Sequence, residues 1–148
     1  DYQSEKLILN LARQEATLAS QQLHEKNLLI TQTDLFQARQ EVLQIFLSPA
    51  LEEYLIQLIM ATRQPEKYSE KLARYIAFGA SPRATIALDR VIKAHAFLAG
   101  RDYVLPGDVH AVIFDILRHR IILTLEAQAD NLTTDEIISE VLTLVPIP

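Results

Sequence analysis

Residues 75–93 read YIAFGASPRATIALDRVIK, and the change from loop to helix at Gly79-Ala80-Ser81-Pro82-Arg83 organises the rest of the chain. Ser81 is a good N-cap residue, because its hydroxyl can accept a hydrogen bond from an otherwise orphaned backbone NH. Pro82 suits the first helical position with its fixed φ and missing NH, and Gly79 tolerates the tight backbone before the cap. The spacing predicts a helix over 81–98, with Ala87, Val91, Ala94 and Leu98 on one face and Leu88, Ile92 and His95 on a second. A helix apolar over so much of its circumference belongs at the centre of its lobe. Arg83 is the odd residue, since a cation in the first turn faces the positive end of the helix dipole. Either it is an exposed arginine that happens to follow a cap, or it serves with the free NH groups of that turn to hold a phosphate.

Working outward, the 148 residues suit a single lobe. Hydrophobic residues are 49% and charged residues 22% of the chain, with only three glycines, so an all-α helical bundle is expected. A net charge of −5 without a basic cluster argues against nucleic acid. No cysteine is present, which removes disulfides, thiolate zinc sites and cysteine nucleophiles. No apolar run reaches the length of a membrane span and no signal peptide is evident, so the expectation is a cytoplasmic protein with no membrane contact. The histidines have no partner at zinc-site spacing, and no metal is expected.

Residues 1–3 read as the end of a connection and 4–30 as a first amphipathic helical segment. Residues 31–148 supply the remaining helices. Thr31 with Asp34, and Thr133 with Glu136, have capping-box spacing. Ser48-Pro49 repeats the cap-plus-proline signal before a helix to about Thr62, with Leu51, Leu55, Leu58 and Ile59 buried. A short helix is expected around 69–74 and another from Pro106 through Leu117, with Gly100 stopping the helix before it. Tyr103-Val104 could pair with Phe46-Leu47 as one very short two-stranded element, while 121–129 is ambiguous in pattern. His95 reads as a satisfied core or edge histidine rather than a ligand. Arg118 and Arg120 read as structural arginines for acids such as Asp102 or Asp108, with a subunit contact as the alternative.

Three blocks taken together resemble the C-terminal part of the MoxR-like AAA+ ATPases. They are Ala61-Thr62-Arg63, then GASPRATIALDRVIKAHAFLAGRDYVLPGDV over 79–109, then 112–124 with its LRHRIILT ending. The resemblance implies a single AAA+ lid subdomain over 1–148, in which 1–3 hinge to a nucleotide-binding core. It also implies that Arg83 is the sensor 2 arginine, reaching the γ-phosphate of ATP with Ser81 and Pro82 beside it. By the same resemblance Tyr2 approaches the adenine. ATP with Mg2+ is implied for the full-length protein, with Mg2+ not bound by this part. The partners implied are the protein's own P-loop core, neighbouring subunits of a hexameric ring and a von Willebrand factor A domain protein, and the work implied is chaperone-like remodelling of a client.

This stretch contains no G-x-x-x-x-G-K-[ST] run, so the phosphate cradle is expected before Asp1 and the 148 residues alone are not expected to hydrolyse ATP. Two positions depart from the family pattern. Leu105 stands where a hydroxyl N-cap is usual and Gly107 where an acid is common, so the helix from Pro106 is expected to fray unless Asp108 substitutes. The rival reading is a free-standing helical interaction module without nucleotide.

Overall fold

Helix starts in this protein are set by short side chains that take over an orphaned NH. The computed structural model describes Gln3, Ser4, residues 6–11, Arg13 and residues 30–148. The chain divides into two units, 1–37 and 38–148. In the first, Gln3, Ser4, residues 6–11 and Arg13 are helical and exposed. Helix α1 (Gln32–Gln44) begins there, where the Asp34 carboxylate accepts from Thr31 N at 2.9 Å and Thr31 Oγ1 accepts from Asp34 N at 3.1 Å. Asp1, Tyr2 and most of the 4–30 segment lie outside the described residues.

In the second unit α2 (Pro49–Arg63) is followed by a 3-10 turn (Pro65–Lys67), α3 (Glu70–Tyr75) and strand β1 (Ile76–Phe78). Then come α4 (Pro82–Leu98), α5 (Pro106–Leu117), strand β2 (Ile122–Leu123), α6 (Leu125–Ala129) and α7 (Thr134–Leu144). The all-α expectation holds, and the helix limits at Pro49, Glu70, Pro82, Pro106 and Thr134 fall where the caps put them. Ser48 Oγ accepts from Leu51 N at 3.2 Å to cap α2, Ser69 caps α3, and Thr124 caps α6. Thr133 and Glu136 close the expected capping box on α7. Replacing Ser48 with alanine should cost about 1 kcal/mol, the usual loss for a side-chain cap, read as a lower urea midpoint at unchanged slope.

The core is built from Leu51, Leu55, Leu58 and Ile59 of α2, Leu88 and Ile92 of α4, Val109, Ile113 and Leu117 of α5 and Ile137, Ile138 and Val141 of α7. Helix α4 is buried along Ala84, Leu88, Ile92 and Ala96, one residue every turn or so. Of the two expected faces, Leu88 and Ile92 of the second are fully buried, while the face of Ala87, Val91, Ala94 and Leu98 is not. Leu98 is 84% exposed and Val91 and Ile86 also reach solvent, so α4 packs on one stripe and offers the rest outward. A wide apolar stripe in sequence does not say which part of it is covered, and here α5 and α2 take only one side. Leu43, Phe46, Ile56 and Ile86, all exposed, line a cleft of about 580 Å3 against that outer side.

Two short β contacts tie the helices. The expected contact of Phe46-Leu47 with Tyr103-Val104 is a single parallel bridge, with Phe46 N donating to Asp102 O (2.8 Å) and Val104 N to Phe46 O (3.0 Å). The antiparallel pair of β1 with β2, Ile76 opposite Leu123 and Phe78 opposite Ile122, was not read from the sequence. It turns the segment before Gly79 from the expected loop into a strand. Gly100, at φ 70°, ends α4 as expected.

Candidate functional site

The start of α4 is held from behind by the last two residues of α2. Thr62 is fully buried; its Oγ1 donates to Ile59 O at 2.7 Å and accepts from Ala80 N at 3.0 Å. Arg63 Nε donates to Ala80 O at 2.6 Å. Ala80, itself fully buried, is thus gripped by both of its backbone polar groups. Gly79 lies directly on this corner, and a Cβ built there would stand 2.0 Å from Thr62 O and 2.7 Å from Arg63 N. Its φ is not positive, so the glycine serves close approach of two backbones rather than the permissive conformation expected from sequence.

Beyond Ala80 the chain emerges. Ser81 takes an extended N-cap conformation (φ −74°, ψ 168°), Pro82 follows at the first helical position, and Ala84 N donates to Ser81 O at 2.8 Å. The Ser81 hydroxyl makes no capping bond, which corrects the expected cap. The other serine and threonine N-caps of the second unit, Ser48, Ser69, Thr124 and Thr133, all bond through their side chains. Ser81, Pro82 and Arg83 are exposed. The side chain of Arg83 forms no ion pair within the described residues, whereas Arg74, Arg101 and Arg118 are each paired with a carboxylate. An open helix N-terminus with an exposed cation beside it can receive an anion without first breaking an internal contact.

A second polar cluster holds the far end of α4. Asp108 is 2% exposed and takes Arg101 on both oxygens (Nη1 to Oδ2 2.8 Å, Nη2 to Oδ1 2.5 Å), His95 Nδ1 at 2.7 Å and Leu105 N at 2.7 Å. Burial by itself would push the Asp108 carboxyl up. The Arg101 guanidinium, the Leu105 NH and His95 outweigh it and bring the carboxyl down to about 2. His95 is accordingly a partnered edge histidine, as read from the sequence. Asp108 also supplies the missing cap of α5 by accepting from Leu105 N, so the helix start is held despite Leu105. The acids expected for Arg118 and Arg120 are not Asp102 or Asp108. Arg118 pairs with Asp135 (2.7 Å) and Asp115 (3.1 Å), and Arg120 donates to Ile116 O.

Of the expected site residues, Ser81, Pro82 and Arg83 form one exposed turn, and Tyr2 lies outside the described residues. Thr62 and Arg63 were noticed only as part of a block. A threonine and an arginine at a helix end carry no local signal that they grip a peptide seventeen residues away. Among the described residues no group of three or more histidine, aspartate or glutamate side chains is placed to hold a metal. None of the described helices is long and apolar enough to cross a membrane.

Residues 70–141 match the family model described as AAA lid domain. The chain is 37% identical over 121 residues to Chaperone MoxR1 of Mycobacterium tuberculosis, covering 81% of this chain and 32% of that protein. It is 43% identical over 82 residues to Protein MoxR of Paracoccus denitrificans, covering 52% of this chain and 24% of that one. Its fold superposes on the crystal structure of a candidate ATPase from Cytophaga hutchinsonii with a TM-score of 0.76 at 48% identity, covering 78% of this chain and 36% of the other. The chain therefore spans about a third or less of the length of the curated relatives it matches.

Proposed function

Residues 70–141 belong to the AAA lid domain family, in a chain related to the MoxR proteins, and on that premise we propose that this lobe closes over ATP in a chaperone-like AAA+ ATPase. Arg83 is its sensor 2 arginine. The observation that carries this reading is the state of the α4 start, where an exposed Arg83 with no ion pair among the described residues sits beside a Ser81 whose hydroxyl makes no capping bond. These groups fit a phosphate, since the positive end of the helix dipole and the Arg83 guanidinium favour the same anion. A nucleotide bound there, with its Mg2+, supplies the phosphoryl group whose charge must be stabilised during hydrolysis. The work of this chain's own residues is to present a preorganised cation to that charge.

On this reading magnesium is held by the nucleotide-binding core together with the nucleotide. The family resemblance assigns Tyr2, which lies outside the described residues, to the adenine and 1–3 to the hinge. The exposed apolar side chains Leu43, Phe46, Ile56 and Ile86 fit a lobe that is covered in the complete protein, because an apolar patch of this kind marks a contact surface. The partners follow from the same reading: the protein's own core, neighbouring subunits of a hexameric ring and a von Willebrand factor A domain protein, with a client remodelled in the cytoplasm.

Arg83→Ala in the full-length protein tests it. Losing one charged contact to the transferring phosphoryl group should lower kcat for ATP by roughly tenfold to a hundredfold, with the melting temperature little changed because Arg83 is exposed and has no ion pair among the described residues. Unaltered kcat and KM would remove Arg83 from the reaction.

A further inference from the structure

Arg63 is a costly choice for the contact it makes. A guanidinium carries five donors and a full charge, and burying it is unfavourable unless its donors are matched. In this protein Nε is spent on a neutral backbone carbonyl, Ala80 O, while Nη2 is buried with no hydrogen-bond partner. A buried donor left unpaired calls for a reason beyond the stability of the lobe. The carbonyl it holds belongs to the residue just before Ser81-Pro82-Arg83. With Ala80 N on Thr62 and Ala80 O on Arg63, the peptide units on either side of Ala80 are both tied to the end of α2, and β1 holds the chain from the other side through its pairing with β2.

We infer that Arg63 is a positioning residue that aims Arg83: by fixing the carbonyl of Ala80 it fixes the first turn of α4 and so the direction from which the Arg83 guanidinium leaves the lobe. This rests on the reading that Arg83 meets a phosphate, because only then does its direction matter. Positioning of this kind acts on reaction rate more than on ground-state binding, since small misplacements are felt most where charge is developing.

A double-mutant cycle in the full-length protein tests it, using Arg63→Ala, Arg83→Ala and the two combined. Arg63→Ala should lower kcat for ATP on the order of tenfold with KM little changed. In the Arg83→Ala background the same substitution should lower kcat no further, because the group it aims is already gone. In nucleotide-free protein, amide exchange should quicken at Ala80 and Ala84 in Arg63→Ala while the core of α2 and α5 stays protected. Equal losses of kcat in both backgrounds, or unchanged exchange at Ala80 and Ala84, would overturn the inference and leave the role of Arg83 standing. No effect of Arg83→Ala alone would overturn both. If Arg63→Ala does not fold, Arg63→Lys carries the same cycle, since it keeps the charge and most of the stem while moving the nitrogen away from the Nε position.

Discussion

Alanine in place of Asp108 should cost the lobe about 3 kcal/mol, seen as a fall in the urea midpoint. The carboxylate is buried and satisfies four donors from three elements: Arg101 twice, His95 near the end of α4 and Leu105 N at the start of α5. Removing one partner of a buried charge cluster costs more than the cluster itself contributes, since the remaining groups lose their acceptor. Asparagine should cost less, about 2 kcal/mol, because its amide oxygen can still take the Leu105 NH. The wild-type protein should show the same contribution by titration. The Asp108 pKa is depressed in the folded state from 3.8 to about 2, so the stabilisation is fully present above about pH 4 and is lost as pH falls from there toward 2. The loss over that window should approach about 2 kcal/mol, and it should be missing from the Asp108→Ala protein. An equally steep acid limb in the variant would show that other carboxylates cause it.

Gly79→Ala should be comparably damaging for a different reason. The added methyl would lie 2.0 Å from Thr62 O and 2.3 Å from Thr62 C, and both are backbone atoms that cannot swing aside as a side chain would. The strand end and the end of α2 must separate, and the two bonds to Ala80 then lengthen or break. Overpacking of this kind costs about 3 kcal/mol, or roughly 10 °C in melting temperature for a lobe of this size. Gly107 is the built-in control, because a Cβ there meets nothing within 4 Å and its φ is not in the left-handed region. Gly107→Ala should therefore be neutral or stabilising by a few tenths of a kcal/mol. A Gly79→Ala protein as stable as Gly107→Ala would mean that the corner can open freely.

Helix positions were legible because their signals are local. Ser48-Pro49, Ser69, Pro82, Pro106 and Thr133 each mark a start within a few residues, and the α2 and α7 core stripes follow from spacing alone. What could not be read was how distant pieces meet. Gly79 looked like a flexible residue before a cap, and only the backbone of Thr62 across from it shows why no side chain fits. Ser81 has the chemistry of a cap, yet nothing in sequence tells whether its hydroxyl is turned to the helix. The partners of Arg118, two acids on different elements, were missed because any nearby carboxylate satisfies an arginine. Arg83 was legible as an anomaly of sign, an arginine where an acid belongs, and its exposure without an ion pair keeps that anomaly in place.

The pairing of β1 with β2 also bears on the order in which the chain folds. The two strands enclose everything from Gly79 to Ile121, so forming them first would mean closing a loop of about 40 residues, at an entropic cost of about 3 kcal/mol. Two residue pairs interrupted by an irregularity cannot offset that. The cost falls only after α4 and α5, which make the most extensive contact between any two elements, have already packed and drawn the loop ends together. The little sheet is therefore expected to close late, over a helical hairpin already formed, rather than to nucleate it. Because β1 leads directly into Gly79, the corner beneath Arg83 is expected to be among the last parts of the lobe to settle.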